Sequence, residues 1–141
     1  MVKVARADIP TIDAASAPYW EAARQGQLLI AECSACGKVH HYPRPFCWSE
    51  DVAPVQASGT GTLYTYSTVY VNDLAPFKER VPYVAALVEL TEGPRLMTTI
   101  EGADFDDLRV GMPVTAVFRP VDDTDPDSPY LTVFTPSEEN P

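Results

Sequence analysis

The chain has 141 residues, 45% of them hydrophobic, which is enough for one domain with a modest core. Its net charge of −10, with no basic stripe to offset the acids, disfavours a phosphate polymer as partner. Three cysteines cannot build a fully paired disulfide framework, and neither an apolar leader nor a membrane-length apolar run is present, so a cytoplasmic protein with reduced thiols and no membrane partner is expected.

The first predicted element lies in a segment spanning residues 1–26. SAPYWEAAR (16–24) has a capping serine, an early proline and good helix formers, and Gly26 suits a C-terminal cap, so a short helix is expected. QLLIAEC then predicts a brief strand that opens a zinc-ribbon-like module over residues 27–55. In CSACG, two thiolates two residues apart can reach one tetrahedral ion, and Gly37 permits the tight turn. Cys47 follows at ribbon distance, but no fourth cysteine does.

Cys33, Cys36 and Cys47 are therefore candidate zinc ligands, with Glu50, Asp51, His40 or His41 available to complete the set. The other reading of the ribbon is a metal-free shape closed by packing of YPRPF and Trp48, and the two histidines also read as ordinary turn residues. A thioredoxin-type redox pair would need a helix N-terminus beside it, which GKVHHYPRP cannot start.

From Gly59 the period becomes two, and residues 56–141 are expected to form a barrel with an acidic C-terminal part. GTLYTYSTVYV sets Leu63, Thr65, Ser67, Val69 and Val71 on one face and Tyr64, Tyr66, Thr68 and Tyr70 on the other. PYVAALVEL, RLMTTIEG, MPVTAVFRP and PYLTVFTP are four further strand candidates. The fold class is thus mainly β: an N-terminal helix, a zinc-ribbon-like module and a five-stranded antiparallel barrel whose strand count matches an OB-fold with a long, bent first strand.

The tyrosines could stack bases, pack under the helix or face a protein, and the acid excess favours the last two. SGTGT lacks the lysine and helix of a phosphate loop, so its glycines are read as the start of a bent strand. DDTDPDS has Asp123, Asp125 and Asp127 at calcium-loop spacing. Ser128 replaces the required glycine and Phe134 the required glutamate, which leaves a solvated hairpin loop. No serine elbow, zinc-protease helix or dinucleotide fingerprint occurs, and no catalytic residue is assigned.

With YWEAARQGQLLIAECSACGKVHHYPRPFC, SGTGTLYTYSTVY, PYVAALVELTEGPRL and VGMPVTAVF in hand, the chain resembles, from about Tyr19 to Phe134, the family in which a rubredoxin-like zinc ribbon precedes an acyl-CoA-associated OB-fold. The second knuckle of that family usually carries two cysteines two apart, often followed by tryptophan and serine. FCWSED resembles that knuckle with three residues missing, so the fourth ligand reads as deleted.

The resemblance implies a non-catalytic accessory subunit of a thiolase-like acyl-CoA enzyme. Archaeal acetoacetyl-CoA thiolase assemblies and the lipid-transfer-protein-type aldolases that cleave steroid side-chain CoA thioesters are such enzymes. The VNDLAPFKERVPY stretch favours the aldolase group, a retro-aldolase whose dimer and substrate channel this subunit would support. Lys78, Arg80 and Arg95 are the candidate cations for coenzyme A phosphates, against simple surface solvation. The nearly continuous apolar strand YVAALVEL is best covered on both faces, and an obligate partner would supply the second cover. The rival reading is a single-stranded nucleic-acid-binding OB-fold module, motivated by stackable tyrosines.

Overall fold

The expected helix forms over Ala17–Arg24 (α1) in the computed structural model, which describes residues 8–42, 44, 47 and 52–137. Its entry is fixed by a residue the sequence reading passed over. Asp13 Oδ1 accepts from the Ser16 N–H at 2.8 Å, and Ser16 Oγ accepts from the Asp13 N–H at 3.1 Å. This reciprocal exchange is a capping box with Asp13 as the cap. Ser16 already has helical backbone angles and makes no side-chain cap bond into α1. At the other end Gly26, at φ +78°, turns the chain. The Gln27 and Gly26 N–H groups reach back to the Ala22 and Ala23 carbonyls at 2.9 and 3.0 Å, a Schellman closure.

The ribbon strands are β1 (Leu29–Cys33), β2 (Val39–His40) and β3 (Val52–Gln56), antiparallel in the order β2-β1-β3. The barrel strands are β4 (Thr60–Val69), β5 (Tyr83–Leu90), β6 (Arg95–Thr99), β7 (Pro113–Pro120) and β8 (Tyr130–Pro136), in the order β6-β5-β4-β7-β8. Edges β6 and β8 approach each other, with the Thr98 hydroxyl donating to the Thr132 carbonyl at 2.9 Å and the Glu101 N–H to the Phe134 carbonyl at 2.8 Å. The result is the near-closed five-stranded OB barrel that the strand count implied.

One apolar core serves helix, ribbon and barrel. Tyr19 and Trp20 of α1, Leu28 and Ile30 of the ribbon, and Leu63, Val88, Val114 and Phe134 of the barrel belong to a single buried cluster. The Tyr19 hydroxyl sits 3.2 Å from Thr132 Oγ1, tying α1 to β8. Arg24, in the last turn of α1, donates to the carbonyls of Pro126, Asp127 and Ser128 at 3.1, 2.9 and 3.0 Å and pins the acidic loop between β7 and β8. Within that loop, Asp122 and Asp125 accept bonds from the Thr124 and Asp127 N–H groups, so two of its carboxylates serve the turns, in keeping with the hairpin reading.

β4 departs from strict alternation. Its pairing with β5 slips between Leu63 and Thr65, which leaves Tyr64 in a bulge. Gly61 and Leu63 point inward before the bulge, and Tyr66 and Thr68 point inward after it, while Thr65 and Ser67 are exposed. The expected tyrosine face therefore does not exist. Tyr66 packs against the core and its hydroxyl donates to the Leu108 carbonyl at 2.8 Å, whereas Tyr64 and Tyr70 stay exposed. With this the stacking platform that motivated the nucleic-acid reading is lost.

Two backbones come close together at Gly61. A Cβ there would stand 2.5 Å from the Glu89 carbonyl oxygen and 2.9 Å from Val88 Cγ1. Because the first obstacle is backbone, relief requires the β4–β5 ladder to move. Gly61→Ala is expected to cost about 3 kcal/mol in urea unfolding, at the upper end of overpacking penalties. A cost under about 0.5 kcal/mol, that of an ordinary surface change, would contradict this close approach.

Candidate functional site

The metal-ligating side chains converge where β1 meets its turn. Cys33 closes β1 and is fully buried; its N–H donates to the Lys38 carbonyl at 2.9 Å, and its carbonyl accepts from the Gly37 N–H at 2.7 Å. Gly37, at φ +75°, supplies the left-handed residue that this knuckle requires. The chain then enters β2 rather than a helix, so the cysteine pair lacks the helix N-terminus of a redox site.

The sulfurs of Cys33, Cys36 and Cys47 all lie within 4.8 Å of one another, and those of Cys36 and Cys47 are 3.9 Å apart. Tetrahedral coordination at a Zn–S distance of ~2.3 Å separates thiolates by roughly 3.8 Å, so three corners of a zinc site fit this geometry. The Lys38 backbone N–H favours the Cys36 thiolate, but hydrogen bonding with Cys33 and Cys47, desolvation and repulsion from Cys33 together outweigh it and hold the Cys36 pKa above the ordinary thiol value. A divalent cation among the three would reverse that balance.

Neither His40 nor His41 joins the three-sulfur group. Glu50 and Asp51, the other candidates for a fourth ligand, lie outside the described residues, as does Trp48 and most of YPRPF. His41 instead packs edge-on against Tyr19 at 5.8 Å and Tyr42 at 5.7 Å between ring centroids. Tyr42 stacks on Tyr19 at 6.0 Å. This aromatic seam between α1 and the ribbon was missed in the sequence. Its only signals were an aromatic pair in the helix and HHY beyond the knuckle.

The candidate coenzyme A cations do not form one cluster. Lys78 lies in the short 3-10 turn Phe77–Glu79, and Arg80, just beyond it, pairs with Asp8 at 3.0 Å. Arg95 starts β6, 3.7 Å from Glu89, and its guanidinium lies 3.8 Å from the Tyr64 ring centre. Lys78 and Arg80 precede β5 while Arg95 pairs with its far end, so roughly 20 Å of strand separates them. Arg95 lines an open groove with His40, His41 and Arg44, whereas Arg80 lines a cleft at the barrel mouth with Tyr83 and Arg119. No described helix is long and apolar enough to cross a membrane.

Residues 20–53 match the rubredoxin-like zinc ribbon domain of ChsH2, and residues 54–119 match the C-terminal OB-fold domain of ChsH2. Among solved structures, a chain of the "Ltp2-ChsH2(DUF35) aldolase" superposes with a TM-score of 0.76 at 40% identity, covering 90% of this chain and 98% of that one. A probable enoyl-CoA hydratase alpha subunit from Thermomonospora curvata is 43% identical over 108 residues, which are 74% of this chain but 33% of that protein. The chain thus spans about a third of that hydratase subunit. A DUF35 domain-containing scaffold protein from Methanocaldococcus jannaschii is 36% identical over 107 residues, 71% of this chain and 74% of that one.

Burial holds the His41 pKa down at about 4. A histidine with a depressed native pKa gives its full stability above the unfolded value near 6.5 and loses it as pH falls towards the native value. Stability should therefore fall by up to about 3 kcal/mol between pH 6.5 and 4 on account of this side chain. Denaturant unfolding of wild type and His41→Phe checks it. The variant should lose the part of the slope between pH 6.5 and 5, and equal slopes there would contradict burial of a neutral imidazole.

Proposed function

The chain belongs to the ChsH2 (DUF35) family of rubredoxin-like zinc ribbon and OB-fold proteins, and we propose that it is a non-catalytic accessory subunit of a thiolase-like acyl-CoA enzyme. The enzyme we propose is a retro-aldolase that cleaves a bulky, steroid-type side-chain CoA thioester. The observation that supports this reading is the likeness to the aldolase chain, at 40% identity and a TM-score of 0.76 over 90% of this chain. The match runs through 98% of the chain in the aldolase structure but 33% of the hydratase subunit.

The described residues supply no nucleophile paired with a base and an oxyanion hole. His40 and His41 have ring nitrogens without hydrogen-bond partners, and burial pushes both away from the charged form. A supporting role for the partner's dimer and substrate channel requires none of that machinery. Lys78, Arg80 and Arg95 remain the cations proposed for coenzyme A phosphates. Their separation means that one coenzyme A head meets one end of β5 or the other.

Co-expression with the thiolase-like subunit encoded with this chain is expected to give a complex that co-elutes in size-exclusion chromatography and cleaves a steroid side-chain CoA thioester. A partner that never co-elutes and is fully active alone would contradict the reading.

Zinc in the ribbon is part of the proposal, held by Cys33, Cys36 and Cys47 with one further ligand. When bound it supplies a structural cross-link between β1 and the segment leading to β3. Elemental analysis of protein purified without a metal-affinity tag should find about one zinc per chain. Chelation, or Cys47→Ser, should lower Tm by roughly 5–10 °C. Sub-stoichiometric zinc together with a Tm indifferent to chelator would show that the ribbon is a metal-free shape.

A further inference from the structure

The inner face of β5 buries Val84, Ala86, Val88 and Leu90, and its outer face presents Tyr83, Ala85, Leu87 and Glu89, all half-exposed. An antiparallel strand with one wet face ordinarily alternates apolar with polar residues, and this one is apolar on both sides until Glu89. The register shows what the neighbouring strands add. Ser67, Ala85 and Thr99 stand side by side across β4, β5 and β6, a row of three small side chains. Thr65, Leu87 and Met97 flank that row on one side, and Val69 and Tyr83 on the other.

Successive outward residues lie ~6.7 Å apart along a strand, so the walls stand roughly 13 Å apart with a shallow trough between them. Met97 is 78% exposed, and no described helix or strand packs over this face. Beyond Val69 the apolar surface continues into the next loop, where Tyr70, Val71 and Leu74 are 68%, 77% and 56% exposed. That loop is held in shape: the Leu74 N–H donates to Asn72 Oδ1 at 3.0 Å, and Asn72 Nδ2 to the Tyr83 hydroxyl at 3.1 Å.

Charge is the second observation. In a chain of net charge −10, the eight side chains of trough and walls include no ionisable acid or base except the Tyr83 phenol. Charges enter at the borders and are paired there, Glu89 with Arg95 at 3.7 Å and Glu101 with Arg119 at 3.1 Å. An uncharged centre of small side chains with apolar walls at Leu87, Met97 and Val69 and an ion-paired rim has the anatomy of a protein interface. A nucleic acid would find cations only at the borders of this face, where Arg80, Arg95 and Arg119 are each paired with an acid, and a second copy would bring a like net charge of −10.

We propose that the outer face of β4–β5–β6, centred on Ser67, Ala85 and Thr99 and continued by Tyr70, Val71 and Leu74, docks the companion enzyme subunit, which fills the trough with large aliphatic or aromatic side chains. The inference rests on the accessory-subunit reading and adds to it the surface on which the partner sits. Binding through such a face is driven by apolar burial and is nearly independent of salt.

The test titrates the co-expressed, purified thiolase-like subunit with wild-type chain and with Ser67→Glu, Met97→Glu and Val110→Glu, at low and high salt. Met97, Ser67 and Val110 are all exposed, so the free chains should keep the wild-type Tm, which is measured alongside. Val110 lies in the turn before β7, off the face, and controls for a new acid as such. Expected are a loss of about tenfold or more for Ser67→Glu and for Met97→Glu, no change for Val110→Glu, and wild-type affinity that shifts less than about threefold with salt. Equal affinity of all three variants would overturn the docking face and leave the accessory-subunit reading standing. A wild-type chain that forms no complex would remove both. A chain that dimerises alone and becomes monomeric in Met97→Glu would give the face to a second copy, and so overturn the proposal as well.

Discussion

The bulge at Tyr64 is the constraint on which the arrangement of this barrel depends. A strand with period two must keep its inward set on one parity, and β4 changes parity halfway. Before the slip Leu63 is fully buried; after it Tyr66 takes the inward place and bonds the Leu108 carbonyl. Without that extra residue, Tyr66 would point to solvent and the smaller Thr65 and Ser67 would fill the core. Just before the slip, Gly61 lies where β4 and the Glu89 carbonyl come too close for a Cβ. The slip also sets short side chains on the outer surface opposite Leu87 and Ala85.

Helix, ribbon and barrel are mutually dependent because each lacks something that another provides. The ribbon sheet has short strands and little interior of its own, and it borrows Tyr19 and Trp20 from α1. The helix has only eight residues, short of what stands alone in water, and it gains permanence from the shared core, from Thr132 and from the Arg24 contacts. The barrel receives in exchange a cover over β8. A metal at the three cysteines would act on this shared core through Cys33, whose side chain is fully buried at the end of β1.

Much of this was legible in the chain because local chemistry dictated it. Glycine and proline punctuation separated five strands, Gly26 marked a helix end, and the CSACG knuckle announced its turn. What was not legible depended on pairing. Tyr64, Tyr66 and Tyr70 alternate cleanly in sequence, and only the register against β5 reveals that one of them is turned inward. In sequence Ser16 reads as the helix cap, one turn after Asp13, because either residue of a reciprocal Asp13–Ser16 pair looks like a cap when read alone. Lys78, Arg80 and Arg95 look close along the chain, yet β5 runs between them as a rigid spacer. The outer face, over which no described helix or strand packs, did have a sequence signal in YVAALVEL, whose polar alternation is missing until Glu89.

The loop that Arg24 holds has a consequence for the chain before it meets any partner. Arg24 grips backbone carbonyls of the loop, in a C-terminal region where residues 101–141 carry ten acidic side chains against two arginines. Strong negative charge on a molecule whose β4–β5–β6 outer face is covered by no described helix or strand gives colloidal stability: chains repel one another at distances where those faces would otherwise meet. Repulsion of this kind fades at high ionic strength, whereas attraction between apolar faces does not. The same chain would then be most prone to self-association in concentrated salt, and most dispersed at low ionic strength.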